Sequence, residues 1–216
     1  MKTEKIHLTN DIEVLKSAYE QLDEKIEALE LEKKDTLHIK LLMEEAIGVV
    51  KQLATDFEAD VWTEEYEDIC SVKVVGSTKM NADKKYDMIA LSKNRKNAMA
   101  VGFMGKIKDI IETGMLNYDS VMKLQQDFNG VAVNFGGMGA CSDVSLATHL
   151  GASTGFMWSM DGYKDALNDG LEENDGMKAA WDELEKSIVA NIANDVIVGV
   201  QKDKFEITLK YDIEGH

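Results

Sequence analysis

The chain has 216 residues, enough for one domain with a substantial core, and its formal net charge is −16 because 40 Asp and Glu outweigh 24 Lys and Arg. So acidic a chain repels phosphate backbones and anionic bilayers, and we expect neither a nucleic acid nor a membrane as its partner. Its two cysteines imply no disulfide framework and no zinc site. It has no apolar leader and no apolar run of about 18 residues, so we expect a cytoplasmic protein without a membrane span.

Residues 6–9 alternate apolar and polar side chains, which predicts a short edge strand. Asn10 or Asp11 can cap the helix that follows, because both side chains accept hydrogen bonds from free N–H groups at a helix start. Apolar residues then recur at helical spacing, and we expect all of them to face the core: Ile12, Leu15, Ala18, Tyr19, Leu22, Ile26 and Leu29.

A second helix is predicted from a cap at Asp35 or Thr36 to about Asp56. Its apolar stripe consists of Ile39, Leu42, Met43, Ala46, Val50 and Leu53. Two adjacent carboxylates, Glu44 and Glu45, interrupt the centre of this helix. On a helical wheel Glu45 lies at the edge of the apolar stripe and Glu44 lies further round. We therefore expect Glu45 to border the core and Glu44 to face solvent.

Alternation at 57–64 and 68–76 predicts an antiparallel hairpin. A polar stretch follows, with the basic run 93–97 inside it. Residues 101–116 then have the pattern of a glycine turn that opens a helix, with apolar side chains spaced to face inward.

The C-terminal part predicts a helix with Met177, Trp181, Leu184, Ile188 and Ile192 on its inner face, and then a hairpin of strands at 196–200 and 204–213. This order of elements predicts an α+β fold. We expect a two-layer α/β sandwich in which helices cover one face of a mostly antiparallel mixed sheet. We expect a single domain over 1–216, with an insertion at 117–176 that contains nine of the sixteen glycines and is therefore costly to order.

Two segments of these helices match motifs of a known family. Glu45-Ala46-Ile47-Gly48-Val49 is similar to an N box of the form Glu-Ala-x-x-Asn, and Gly102-Phe103-Met104-Gly105 is similar to a glycine box of the form Gly-x-Gly-Leu that opens a helix. With the closing hairpin, the chain resembles the GHKL ATPase superfamily of gyrases, heat-shock chaperones and histidine kinases. It is most similar to the anti-sigma-factor serine kinases in that superfamily.

The resemblance implies a site for ATP or ADP, with or without magnesium, and an ATPase or serine kinase activity. Glu45 would be the general base that activates the attacking water or hydroxyl. Gly102 and Gly105 would present backbone N–H groups to phosphate, with Lys106 adding positive charge. Gly76 would be the remnant of the family's first glycine box.

The chain departs from the family at two positions. Val49 replaces the magnesium-binding asparagine, and its side chain has no oxygen for a hard cation. Only Gly76 remains of the first glycine box, because Asp83 is at the wrong spacing. We therefore expect a nucleotide-binding regulatory domain with weak or absent activity. The alternative is a non-catalytic protein-interaction module, similar to an anti-sigma factor, that has lost the nucleotide. Neither case requires a metal ligand from the chain.

Other interpretations of the same segments stay open. Glu45 is also consistent with a surface carboxylate paired to Lys51, Lys40 or His38. Residues 131–152 contain Gly137-x-Gly139-x-x-Ser142 after a strand-like run, with an acid at Asp161, and this resembles the dinucleotide fingerprint of an oxidoreductase.

The segment 129–160 is also a candidate surface for a protein partner. We expect its large apolar side chains to be exposed and adaptable: Met138, Phe156, Met157, Trp158 and Met160.

Overall fold

The computed structural model describes residues 2–53, 57–78, 102–116, 156–170, 175–201 and 203–213. Within these ranges six strands form one sheet, and the predicted α+β fold is confirmed. The strands are β1 (Ile6–Thr9), β2 (Phe57–Tyr66), β3 (Ile69–Thr78), β4 (Phe156–Ser159), β5 (Asp195–Gln201) and β6 (Lys204–Asp212). The helices are α1 (Ile12–Glu27), α2 (Lys33–Leu53), α3 (Gly102–Leu116), α4 (Met160–Gly170), α5 (Asp175–Glu185) and α6 (Ile188–Ile192). None of these helices is long and apolar enough to cross a bilayer.

The sheet has the order β1-β2-β3-β6-β5-β4, and every neighbouring pair is antiparallel. Both predicted hairpins are present. The first has longer strands than predicted, because its turn consists of Glu67 and Asp68 alone. Glu67 adopts a φ of 53°, a left-handed conformation that such a short turn requires. β3 and β6 join the two hairpins at the centre of the sheet.

The core lies on one face of the sheet, where alternate residues of each strand meet the helices. One row of paired residues crosses all six strands and is at most 4% exposed throughout: Ile6, Val61, Val74, Ile207, Val198 and Trp158. α2 covers the middle of this face, and its predicted apolar stripe is buried. The two-layer arrangement predicted from the sequence therefore holds in the described ranges.

The opposite face of the sheet carries a charged cluster around Glu64. Its carboxylate lies 2.6 Å from Lys2 Nζ and 2.9 Å from Lys73 Nζ, and Trp62 Nε1 donates to it at 2.8 Å. Burial alone would raise the pKa of Glu64, but these three hydrogen bonds outweigh it and hold the pKa at about 2. The amino groups of Lys2 and Lys5 also lie 5.0 and 4.3 Å from the Trp62 ring centre. The cluster thus ties the N-terminal residues to β2.

Asp11, one of the two residues predicted as caps, is the N-cap of α1. Its carboxylate accepts from Glu13 N at 2.8 Å and from Val14 N at 3.2 Å. The prediction that Ile12 faces the core is wrong, because its side chain is 79% exposed. The buried stripe of α1 consists of Leu15, Ala18, Leu22 and Ile26.

The predicted cap of α2 is wrong, since the helix begins at Lys33 and Asp35 lies within its first turn. Asp35 is instead 1% exposed, and the Tyr211 hydroxyl of β6 donates to its Oδ1 at 2.5 Å. His38 Nδ1 lies 3.0 Å from the same hydroxyl. This chain of hydrogen bonds joins the start of α2 to the end of β6.

The predicted C-terminal helix is two helices, because the Ser187 hydroxyl accepts from Ala190 N at 3.3 Å and begins α6 anew. The new start changes the phase, so Ile188 is 58% exposed and its predicted inner position is wrong. The predicted exposure of Trp158 and Met160 is also wrong. Both are buried in the core, and Met157 is half-buried against Ile197.

We expect Tyr211→Phe to lower the free energy of unfolding by about 1–3 kcal/mol, because the buried Asp35 carboxylate loses its hydroxyl donor. Urea unfolding followed by circular dichroism measures this. Tyr66→Phe is the matched control, since Tyr66 is 75% exposed, and it should change stability by less than about 0.5 kcal/mol. Equal stability of both variants would mean that the Asp35 contact contributes nothing.

Candidate functional site

Glu45, the predicted general base, lies on the outer side of α2. Its side chain is exposed, as is that of Glu44, so exposure does not separate the two carboxylates. The surface pairing considered for Glu45 is also absent among the described side chains. Lys40 binds Asp23 and Glu27, at 3.1 and 3.0 Å, and His38 contacts Tyr211.

Gly76 lies in the interior of β3, on the face that packs against the helices. A Cβ atom there would lie 2.7 Å from Ala59 Cβ, 2.7 Å from Glu58 O and 2.8 Å from Phe205 Cζ. Such distances leave no room for any side chain, so close packing at the centre of the sheet accounts for this glycine. A phosphate site at Gly76 stays a prediction.

Gly102 begins α3 with a φ of +75°, a conformation that favours glycine. Among the described residues, no heavy atom outside the adjacent backbone lies within 4 Å of its Cβ position, so a side chain would have room at this helix start. Gly105 lies in the first turn. Lys106, the predicted phosphate ligand, makes an ion pair with Glu183 of α5, which offsets part of its charge.

The remaining predicted segments fall on other parts of the chain. The basic run 93–97, the dinucleotide-like stretch 131–152 and Met138 lie outside the described residues. Asp161, the acid considered for ribose binding, is in the first turn of α4, where its backbone N–H donates to Asp195 at 3.0 Å. The predicted site residues lie on α2, β3 and α3, and a nucleotide site formed by them stays a prediction.

A groove lies instead between α1, the end of α2 and the start of β2, with a volume of about 560 Å³. Its lining is mostly apolar and consists of Asn10, Ile12, Leu15, Lys16, Tyr19, Glu20, Asp23, Lys51 and Phe57. Leu15 and Phe57 are buried at its floor, and the exposed Ile12 forms its rim. The volume is within the range of binding pockets, although this groove is open on one side.

Tyr19 stands at the centre of the groove wall. Burial raises the pKa of its hydroxyl, and the nearby negative charge of Glu44 raises it further, so the hydroxyl stays protonated and able to donate. The Lys51 ammonium lies 5.9 Å from the centre of the Tyr19 ring. The groove therefore combines apolar surface with a few polar groups, the composition that recognition sites share.

A line of carboxylates borders the groove on α1. Glu13, Glu20 and Glu24 are exposed and spaced by seven and four residues, which places them on one side of the helix. In the part of the chain that the structure describes, none of the three makes an ion pair. Asp23 and Glu27, in contrast, are both bound by Lys40.

The sequence contains a pattern that indicates this groove, but helical periodicity alone does not separate the groove residues of α1 from its core residues. At 100° per residue, Ile12 and Tyr19 lie about 40–80° to one side of the stripe formed by Leu15 and Leu22. Apolar residues on that flank widen the stripe beyond what one core contact needs. A second apolar line of this kind indicates surface that another element or molecule can cover.

No protein-family model matches the chain, and no curated protein and no solved structure matches it either. In the described ranges, no three His, Cys, Asp or Glu side chains meet in an arrangement that could hold a metal ion.

We expect Gly76→Ala to lower the free energy of unfolding by about 1–3 kcal/mol without any ligand present, since the new methyl group overlaps the Glu58 carbonyl and two side chains. Gly48→Ala, in the interior of α2, should raise it by about 0.5–1 kcal/mol, because no described atom outside the helix's own backbone lies within 4 Å of the added methyl group. Chemical denaturation measures both. An unchanged stability for Gly76→Ala would contradict the packing role of this glycine.

Proposed function

We propose that this chain is a non-catalytic protein-interaction domain with a regulatory role, in the cytoplasm. The carrying observation is the apolar groove beside α1, whose rim residue Ile12 is 79% exposed. An isoleucine at the mouth of an apolar groove is a feature of surfaces that another molecule covers. Cys70 is a free, buried thiol, in keeping with a reducing compartment.

The positions of the predicted catalytic residues support the same proposal. Glu45 faces outward, Gly76 packs closely against Ala59 and Phe205, and Lys106 is bound to Glu183. A phosphoryl-transfer site needs these groups to converge on one substrate, because its catalysis rests on positioning and charge. With Val49 in the place of the magnesium ligand, loss of the chemistry and retention of the fold is the simpler account.

The interaction proposal is tested with a photoreactive amino acid placed, one at a time, at three exposed apolar positions on separate elements. These positions are Ile12, Tyr66 and Ile188. We expect the full chain, irradiated in its native cells, to form a discrete adduct from Ile12. The identified partner, once purified, should then bind the chain in isolation. Adducts from none of the three positions, or a partner that fails to bind when purified, would contradict the proposal.

Nucleotide binding is the second candidate, and the open, positive-φ start of α3 at Gly102 favours it. ATP or ADP should then raise the melting temperature with little dependence on magnesium. A ligand at a hundredfold its dissociation constant stabilises the folded state by about 2.7 kcal/mol. NAD belongs in the same screen, for the dinucleotide alternative. If the melting temperature stays unchanged at millimolar concentrations of all these ligands, nucleotide binding is contradicted.

If a phosphate-release assay shows hydrolysis of ATP, the hydrolysis should depend on Glu45, because Glu45→Gln keeps the shape and removes the base. Turnover should then fall by about 10²–10⁴-fold. Glu44→Gln, the neighbouring exposed carboxylate, is the control and should change turnover little. Equal losses from the two variants would contradict the role of Glu45.

A further inference from the structure

We infer that the groove beside α1 takes a basic amphipathic helix of the partner protein. This inference rests on the proposed function and adds the chemistry of the partner. The partner helix lies along α1, with apolar side chains in the groove over Ile12, Leu15 and Tyr19. Its lysines or arginines lie over the carboxylate line of Glu13, Glu20 and Glu24.

The shape of the groove favours a helix as the occupant. Its α1 side runs from Ile12 to Asp23, which is about 16 Å along the helix axis at 1.5 Å per residue. About three turns of a partner helix cover that length. Side chains spaced by three, four and seven residues along the partner would meet the floor formed by Leu15 and Phe57, the usual pattern of helix recognition in a groove.

The charge beside the groove favours a cationic occupant. Glu13, Glu20 and Glu24 are exposed and make no ion pair with any described residue, whereas Asp23 and Glu27 share an ion pair with Lys40. The whole chain carries −16, so its field draws cations to this surface and raises their association rate. The same field disfavours nucleic acids and anionic bilayers at this place.

Two lysines of the groove repel the cations of the partner from the groove itself. Lys16 and Lys51 line the groove itself, with Lys51 against the Tyr19 ring. A positive residue over them would be repelled, so the cations of the partner are confined to the outer side of α1. The separation of charges thus fixes the rotation of the partner helix about its axis.

The test uses three synthetic peptides of equal length and the full chain, with binding followed by fluorescence anisotropy. The first peptide has leucines on one helical face and lysines along one flank of it. The second has the same composition in an order that destroys the apolar face. The third keeps the leucines and replaces the lysines with glutamates. The first should bind at least about tenfold more tightly than either of the others.

Variants of the chain then locate the binding. Glu13, Glu20 and Glu24 together changed to Gln should weaken the first peptide about tenfold and flatten its salt dependence. Ile12→Ser should weaken it by a similar factor through lost apolar contact. Asp165, Asp169 and Asp182 changed to Asn form the control, because this triple removes the same charge from exposed positions on α4 and α5. It should weaken binding less than about threefold.

Equal binding of the ordered and scrambled peptides, or equal effects of the two triple variants, would mean that net charge alone explains the binding. Either result would overturn the inference. Failure of the first peptide, with a confirmed adduct from Ile12, would overturn the basic helix and leave the interaction domain in place. A confirmed adduct from Tyr66 or Ile188 but not from Ile12 would overturn the groove as the binding surface. Absence of every adduct overturns the proposed function itself.

Discussion

Burial of one face of α2 against the middle of the sheet is the interaction on which the other elements depend. α2 contacts β2, β3 and β6, and three other helices, α1, α3 and α6, pack against it. Because its inner side chains fill the space above the central strands, α1 packs over β1 and α3 packs over β5, on either side of α2. Exposed carboxylates at its centre are therefore expected, since the outer side of α2 is the only side without a neighbour among the described elements.

Local signals predicted most of the elements. Strand alternation located both hairpins, and Asp11 as a cap located α1, because these features act over a few residues. At the starts of two helices, the local pattern led to a wrong prediction. Asp35 resembles a cap but is bound by Tyr211, which is 176 residues away in sequence. Ser187 restarts a helix inside an unbroken apolar period. A contact with a distant strand cannot be read from neighbouring residues, whereas a helix-capping serine is a local signal.

The candidate site was harder to predict than the fold, for a physical reason. Residues nominated by resemblance are spread over α2, β3 and α3, and resemblance carries no information about which way a side chain points in this chain. Glu45 illustrates this, because a small rotation of α2 about its axis decides whether this side chain borders the core or faces solvent. The groove depends on the same geometry, because it lies along a flank of α1 that the packing of this helix against the core leaves uncovered. Periodicity predicts which residues are apolar together, but the neighbouring elements decide which of them are buried.

The pairing of β3 with β6 has a consequence for biosynthesis. About 125 residues separate the end of β3 from the start of β6, and chains elongate at about 5–20 residues per second. One edge of β3 therefore waits roughly 6–25 s after emerging from the ribosome before its partner is made. During that interval the hairpin of β2 and β3 exposes backbone N–H and C=O groups beside an apolar face, and such edges pair with other chains. The rate of translation and the crowding of nascent chains thus act on the yield of this fold, independently of its final stability.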